Sequence, residues 1–359
     1  MRFVPTHCLR EGMLLGDNLF GSNGELLLAK DTTLTGPYID MIKKLNFNGL
    51  YVEDDISRDL FIASIIDERL RAQSVKSIKE VFICSEESNP NTKMKFKEAQ
   101  FQIETIVDEL LKNKNMMINM VDMKVFDDYT YFHSVNVAVL SIVLGISIGF
   151  SRKDLCNLGY GALLHDIGKV FVRKDILNKN GFLTEEEFAE MKKHSEWGCE
   201  YIKKGYGVTT ASYMGILDHH EKYDGGGYPN NLKGNSISLF GRIISIADVY
   251  DALTSDRPYR KALPPSEVME YIMGSSITLF DPDLVNIFIR KIAPYPIGTC
   301  VRLSDGSVGI VIENFESYCL RPRVRILKQS GEACEPREIN LSEAEFLNIT
   351  ILEVADDIN

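Results

Sequence analysis

The sequence has no paired cysteines. Its seven cysteines are scattered along 359 residues, and no two of them form a Cys-x-x-Cys pair. An odd number of isolated thiols excludes a disulfide framework and a zinc ribbon, and it is typical of a protein in a reducing compartment. The N-terminal residues Met-Arg-Phe-Val-Pro-Thr-His contain no apolar signal core. We therefore expect a cytoplasmic protein.

The sequence also has no excess of positive charge. It contains 40 Lys and Arg against 51 Asp and Glu, a formal net charge of -11. Nucleic acids and anionic membranes select basic surfaces, so general binding to either is disfavoured. A small phosphate ligand stays compatible with this charge, because metal ions and a few local cations can reverse the field inside a cleft.

No apolar run is long enough to cross a membrane. The most apolar stretch, residues 135–150, is shorter than the roughly 18 residues that a span requires. It also contains three polar residues, Asn136, Ser141 and Ser147. The pattern therefore predicts a buried helix and no membrane contact.

The periodicity of the apolar residues predicts a mainly α protein with four parts. These are a small N-terminal α+β module (1–55), a helical connector (56–124), an all-helical core domain (125–292) and a small C-terminal β module (293–359). In the first module, Ser22-Asn23-Gly24 separates Met13–Leu15 from Leu26–Leu28 and predicts a hairpin. In the last module, Asp305-Gly306 predicts a hairpin between residues 299–303 and 308–312.

Five of the six histidines lie in the all-helical part, and two of them are adjacent. Neighbouring side chains on a helix point about 100° apart, so His219 and His220 cannot both face one core. They can bind a metal ion from a helix end. The glycines Gly225 to Gly227 follow, then Tyr228, and residues without a Cβ let the main chain approach a ligand.

Further metal-ligand types occur at inward or paired positions. His165 and Asp166 are adjacent at a predicted helix end, and His133 precedes the apolar helix. His194 falls on the inward face of a helix that a capping box, Thr184 with Glu187, begins. Asp248 interrupts an apolar helix, and Asp251 follows on the same face; a buried carboxylate is costly unless a cation neutralises it.

Each residue alone has an ordinary structural explanation. An inward histidine such as His194 is more often a hydrogen-bonded core residue, and Asp248 is compatible with a helix-to-helix hydrogen bond. Lys169, Arg257 and Arg260 are each compatible with a solvated surface charge. The joint pattern is harder to explain by packing. Imidazole and carboxylate ligands without a thiol favour iron or manganese over structural zinc.

Three motifs together resemble the HD-GYP family, a branch of the HD metal-dependent phosphohydrolases. They are His165-Asp166-Ile167-Gly168-Lys169, the segment from His219-His220-Glu221 to Gly227-Tyr228-Pro229, and the segment from Ala247-Asp248 to Arg257-Pro258-Tyr259-Arg260. The resemblance covers roughly residues 125 to 290. It implies hydrolysis of cyclic di-GMP to linear pGpG, and often on to GMP, by a hydroxide that bridges two metal ions.

The resemblance also implies roles for individual residues. One ion would be held by His133, His165, Asp166 and Asp248, and Asp166 would bridge to a second ion held by His194, His219 and His220. The residues that would contact the dinucleotide are Lys169, Gly227, Tyr228, Asp251, Arg257 and Arg260. Lys169 and Asp166 would also take part in catalysis. Lys169, Arg257 and Arg260 would neutralise the charge of the phosphates.

One departure from the family pattern concerns a third ion. Some members carry a glutamate one helical turn before the first histidine, where this chain has Tyr129; Asp128 is one residue off. We therefore expect two ions, and a product that stops at pGpG if the second hydrolytic step requires a third ion. The alternatives are an HD enzyme for another nucleotide or cyclic dinucleotide, such as a mixed GMP–AMP species, and a non-catalytic sensor. The sequence is also compatible with a homodimer.

Overall fold

A computed structural model of the chain describes residues 1–21, 24–45, 47–60, 62, 65–113, 117–118, 129–179, 181–255 and 262–355. The helices are α1 (Gly36–Lys44), α2 (Glu68–Glu86), α3 (Thr92–Lys112), α4 (Tyr129–Ser147), α5 (Arg152–Leu163), α6 (Lys174–Leu177), α7 (Glu185–Lys192), α8 (His194–Lys203), α9 (Thr210–Asp218), α10 (Leu239–Thr254), α11 (Pro265–Gly274) and α12 (Pro282–Lys291). The strands are β1 (Arg2–Pro5), β2 (Leu14–Leu15), β3 (Leu19–Phe20), β4 (Leu26–Leu28), β5 (Gly49–Glu53), β6 (Cys300–Leu303), β7 (Val308–Glu313), β8 (Arg323–Gln329), β9 (Glu332–Asn340) and β10 (Ile351–Val354). The predicted mainly α class, with a small module at each end, is confirmed.

The N-terminal module is built on two small antiparallel sheets and α1. One sheet has the order β1-β5-β2, and the other is the pair β3-β4. The hairpin predicted between Met13–Leu15 and Leu26–Leu28 is wrong in its first strand. Leu14–Leu15 pairs with β5, and β4 pairs with Leu19–Phe20 instead. The shorter connection is stabilised by a backbone hydrogen bond in which Gly21 N donates to Glu25 O at 2.9 Å.

Helix α4 lies at the centre of the helical part. It packs against α2, α5, α10 and α12, and residues such as Val139 and Ile142 are buried. Within the described ranges it is the one helix long and apolar enough to cross a membrane, over Thr130–Ser147, and 67% of that window is buried inside the protein. This burial is what a core helix requires.

Helices α2 and α3 share the core of α4 to α12. Ile78 of α2 and Ile103 of α3 are fully buried, and both belong to the same apolar cluster as Leu158 of α5. The helices that the sequence analysis assigned to a connector therefore pack as part of the helical body. The domain boundaries at 55, 124 and 292 stay predictions.

The C-terminal module is one antiparallel sheet with the strand order β10-β6-β7-β8-β9. The hairpin predicted around Asp305-Gly306 is confirmed, with Cys300 opposite Ile310 and Ser307 N donating to Asp305 Oδ1 at 2.9 Å. Strand β9 was not predicted. Most of its residues are exposed and several are charged, so its sequence lacks the alternation that marks a half-buried strand.

The two end modules contact each other directly. Phe3 N donates to Gly298 O at 3.2 Å. The guanidinium of Arg325 on β8 also binds the carboxylate of Asp59, in the segment directly after the N-terminal module, through two contacts of 2.8 and 2.6 Å. The N-terminal module therefore touches the C-terminal sheet as well as helix α2.

Candidate metal centre

The predicted metal ligands come from separate elements that meet at one place. They are His133 on α4, His165 and Asp166 directly after α5, His194 at the start of α8, His219 and His220 directly after α9, and Asp248 on α10. Helix α9 ends at Asp218, so the adjacent histidines lie where the backbone leaves the helix. This is the geometry that the sequence predicts for two neighbouring imidazoles that bind together.

The ligand atoms of these side chains form three overlapping groups, within each of which all atoms lie within 4.8 Å of one another. The groups are His194 with His219 and His220; His133 with His165 and Asp166; and His165 with His219 and Asp248. The first two groups match the division into two ions that the resemblance implies. The third group joins them, so the two positions are adjacent.

The carboxylate of Asp166 lies between the two groups. Its Oδ2 is 3.4 Å from His165 Nε2, and its Oδ1 is 3.4 Å from His194 Nε2. Each oxygen therefore faces a different group. This is the arrangement that a bridging carboxylate requires.

Three of the histidines are oriented by the same hydrogen bond. In each, Nδ1–H donates to the backbone carbonyl three residues earlier: His165 to Ala162 at 2.8 Å, His194 to Met191 at 2.7 Å and His219 to Ile216 at 2.7 Å. A carbonyl can only accept, so this contact fixes the tautomer. The lone pair is then on Nε2, which points into the cluster and is free to bind a metal ion.

The donor set fits a divalent transition metal. His165 Nε2 is buried and has no hydrogen-bond partner among the described residues. A buried acceptor without a partner costs free energy, and a metal ion at this position would remove that cost. Several imidazoles with two carboxylates and no thiol suit iron, manganese or zinc better than magnesium or calcium.

The electrostatics keep most of the imidazoles neutral. Burial, and then the neighbouring His220, lower the pKa of His219 well below its usual value. Burial and His194 lower the pKa of His220 to about 3, and burial lowers the pKa of His194. These three rings are therefore unprotonated at neutral pH, which is the form that binds metal ions.

The first group has a different environment. Burial opposes charge on His133, but hydrogen bonds to Asp248 and Asp251 outweigh it and raise the pKa of His133 to about 9. Its Nε2 is 3.1 Å from Asp248 Oδ1 and its Nδ1 is 2.7 Å from Asp251 Oδ2. In the absence of a metal ion this ring carries a proton that a bound cation would replace.

Asp251, a predicted dinucleotide contact, is buried beside a ligand histidine. Its side chain is 1% exposed, and it stands behind the His133 ring, where Asn136 Nδ2 also donates to it at 2.8 Å. The sequence periodicity placed Asp251 correctly on the face of Asp248. The structure shows Asp251 as a partner of the ligand histidine His133, and its contact with the dinucleotide stays a prediction.

Two helices, and not one, bring His194 to the site. The predicted capping box is present, with Thr184 as the N-cap of α7, but α7 ends at Lys192 and His194 begins α8. The side chains of His194 and Ser195 bond to the carbonyls of residues 191 and 192. These side chains compete with the helical N–H groups for those carbonyls, and such competition breaks a helix.

Two predicted substrate residues lie beside the cluster. Lys169 Nζ is 2.5 Å from Asp166 Oδ2, and its side chain is 30% exposed. The Tyr228 ring lies over the His220 ring, with centroids 4.8 Å apart. Burial and the carboxylates of Asp166 and Asp248 raise the pKa of Tyr228, so its hydroxyl stays protonated near the ligands.

Gly227 allows the loop that carries Tyr228 to pack closely against its own backbone. A Cβ at Gly227 would lie 2.3 Å from Lys222 N, so the loop can close on its own backbone only with glycine there. The other predicted contacts, Arg257 and Arg260, lie outside the described residues, as does Asp128. Tyr129 is the first residue of α4.

Two further residues near Tyr228 were not predicted from the sequence as part of the site. Glu221 is 2% exposed, and its two carboxylate oxygens accept from Asn230 N at 2.7 Å and Leu232 N at 3.0 Å. It thereby ties the loop that carries Tyr228. Lys192 Nζ lies 5.8 Å from the Tyr228 ring centroid. Glu221 follows the histidine pair directly, and its place inside the motif was the available signal.

The helical architecture and the His/Asp cluster are those expected of an HD domain. Residues 115–284 match the HD domain family, and residues 300–355 match a KOW domain associated with the HD domain. The chain is 38% identical over 225 residues to the cyclic di-GMP phosphodiesterase PA4108 of Pseudomonas aeruginosa, which covers 62% of this chain and 54% of that protein. It is 34% identical over 190 residues to a cyclic di-GMP phosphodiesterase of Thermotoga maritima, covering 53% of this chain and 50% of the relative.

A third relative acts on a different dinucleotide. The 3'3'-cGAMP-specific phosphodiesterase 3 of Vibrio cholerae is 39% identical over 155 residues, which cover 43% of this chain and 34% of that protein. The chain spans about half the length, or less, of these relatives. Residues 115–284 therefore match the HD-domain family, and the resemblance of the chain to the HD-GYP branch is confirmed.

Proposed function

We propose that this protein is a metal-dependent phosphodiesterase that hydrolyses cyclic di-GMP to linear pGpG. The observation that carries the proposal is the position of Asp166 between two groups of histidines. Each group presents imidazole nitrogens, and one oxygen of the carboxylate faces each group. A pair of adjacent divalent sites suits the cleavage of a phosphodiester.

The two ion positions would be held by the residues that the resemblance implies. His133, His165, Asp166 and Asp248 would hold one ion, and Asp166, His194, His219 and His220 the other. When bound, two divalent ions such as iron or manganese lower the pKa of water and neutralise charge on phosphate oxygens. Binding and orientation of the substrate would come from the side chains of the protein.

The side chains around the cluster would bind and orient the dinucleotide. Lys169 would exchange its contact with Asp166 for a phosphate oxygen, because an ammonium is a flexible point charge. Tyr228 would donate its O–H, and Lys192 would add positive charge on the same side of the site. Glu221 would hold the Tyr228 loop in place and exclude water from that side.

The test is anaerobic purification, metal analysis, and chromatography of cyclic di-GMP after incubation with the protein. We expect two metal ions per chain and a linear product. If fully metallated protein releases no linear product, the proposal is wrong.

A second candidate substrate is the mixed GMP–AMP cyclic dinucleotide, because relatives named for that activity match this chain at 39% and 35% identity. Parallel incubations with both dinucleotides separate the two, and we expect a higher kcat/KM for cyclic di-GMP. A non-catalytic sensor predicts eroded ligands, whereas all seven predicted ligands are present in this sequence.

A further inference from the structure

A buried polar chain leads from helix α2 to the metal ligand His133. Arg71 Nη1 on α2 donates to Asn136 Oδ1 on α4 at 3.1 Å, and Asn136 Nδ2 donates to Asp251 Oδ1 on α10 at 2.8 Å. Asp251 Oδ2 then accepts from His133 Nδ1 at 2.7 Å. Four side chains from three helices therefore form a continuous path.

The donor and acceptor groups of these four side chains fix the direction of each hydrogen bond. A guanidinium can only donate, and an ionised carboxylate can only accept. Asn136 must therefore present its oxygen to Arg71 and its NH₂ to Asp251. Asp251 must in turn accept from His133, which leaves Nε2 of that ring to face Asp248 and the metal position.

Burial of the Asn136 amide costs free energy unless the amide makes hydrogen bonds. It is 1% exposed and lies among the apolar residues of α4, such as Val135 and Val137. A buried amide costs free energy when its bonds are not made. The bonds of Asn136 to Arg71 and to Asp251 link these two residues.

The end of this polar path that is farthest from the metal ligands lies next to the N-terminal module. Arg71 Nε lies 3.6 Å from Glu68 Oε1 on the same helix. The next residue, Ala72, lies against the β3-β4 hairpin, where a Cβ on Gly24 would be 3.8 Å from the Ala72 Cβ. Helix α2 is therefore in contact with the N-terminal module at the point where this path of polar side chains begins.

We propose that Asn136 and Arg71 are positioning residues that act through Asp251 on His133, so that helix α2 sets the geometry of one metal position. The proposal rests on the metal site described under the proposed function. A partner of a ligand histidine fixes its ring and raises its basicity, and loss of such partners costs about 10- to 100-fold in metal affinity or activity. A displacement of α2 would then change the affinity of the His133 site.

The experiment is a Co²⁺ titration of the metal-free protein, followed by visible absorption, with the melting temperature of each metal-free variant measured in parallel. Asn136→Leu, which keeps the volume and removes both bonds, is expected to weaken one of two Co²⁺ sites about 10-fold and to change its spectrum. Arg71→Leu is expected to give a smaller loss at the same site, and Arg71→Lys to restore it. Arg69→Leu is the matched control, because Arg69 is an exposed residue on the same helix; it should bind as the unmodified protein does.

Each result decides the proposal. Unchanged affinity and spectrum in Asn136→Leu would overturn it, and unchanged binding in Arg71→Leu would overturn the part played by α2. If Asn136→Leu does not fold, the comparison of Arg71→Leu with Arg71→Lys decides. Failure of the unmodified protein to bind Co²⁺ would overturn the metal site itself, and this proposal with it.

Discussion

Gly168 lies directly against the backbone of His194. A Cβ on Gly168 would come within 1.8 Å of the His194 carbonyl oxygen and within 2.6 Å of Gly198 N. No side chain can be accommodated at this distance. The absence of a Cβ therefore allows α8 to approach the segment after α5, and that approach brings the ring of His194 to Asp166.

We predict that Gly168→Ala separates the two metal positions. The added methyl would push α8 away, and His194 would lose its contact with Asp166. The bound metal should fall from two ions to one per chain, and turnover should fall by at least about 100-fold, which corresponds to 2.7 kcal/mol or more. Gly274→Ala is the control, since a Cβ there meets nothing within 4 Å. Normal metal content in Gly168→Ala would contradict this account of the glycine.

Asp166→Ala should abolish turnover without unfolding the protein. The substitution removes one oxygen from each ion, and it also removes the partner of Lys169. Metal analysis and circular dichroism would show lost metal with a retained helical signal. Asp175→Ala changes an exposed carboxylate on α6 and serves as the control. The same result is expected for His165→Ala, and retained activity in either variant would remove the metal assignment.

Glu221→Gln should weaken substrate binding more than metal binding. The neutral side chain offers one acceptor oxygen to two backbone N–H groups, so one hydrogen bond worth about 1.5–3 kcal/mol is lost from the Tyr228 loop. We expect a KM raised by roughly tenfold or more, with two ions still bound. Glu200→Gln, an exposed change on α8, should leave KM unchanged. A normal KM in Glu221→Gln would show that the loop does not need this tie.

Metal removal should lower stability. A ligand that binds only the folded state stabilises it by about 2.7 kcal/mol at a concentration 100 times its Kd. Chelation should therefore lower the melting temperature of the helical part, and Mn²⁺ or Fe²⁺ should restore it under anaerobic conditions. Mg²⁺ should not, because it prefers oxygen ligands. A melting temperature that does not respond to chelation would argue against a resident metal.

Ile277 is expected to be a site of backbone strain. Its φ is 75°, a region that β-branched residues rarely adopt, and its side chain is 66% exposed, so little burial offsets the strain. Ile277→Gly should raise the free energy of unfolding by about 1 kcal/mol, measured by urea denaturation. Ile277→Ala removes the same exposed atoms but keeps a Cβ, and it should show no comparable gain. Equal effects of the two changes would exclude strain as the cause.

The sequence was sufficient to predict the mainly α class and the set of residues in the cluster. The reason is that ligand types are chemically restricted: adjacent histidines and a carboxylate in an apolar helix have few packing roles. The contact of Asp251 with His133 was not predicted, although its helix face was. It depends on the approach of α4 to α10, which periodicity within one helix does not contain.

Local competition explains the remaining differences. The break between α7 and α8 arises from side-chain bonds of His194 and Ser195 to nearby carbonyls, and these cannot be distinguished from an unbroken helix by apolar spacing. From the sequence, Asn136 indicates only that residues 135–150 are not a membrane span. Its role depends on Arg71, which is 65 residues away along the chain. Such long-range polar pairs leave no periodic signal.

The most direct test of the two-metal site is anomalous X-ray diffraction from crystals of the protein loaded with Mn²⁺. We predict two anomalous peaks bridged by the carboxylate of Asp166, one surrounded by His194, His219 and His220 and the other by His133, His165 and Asp248. A single peak, or two peaks that do not share Asp166, would contradict the account.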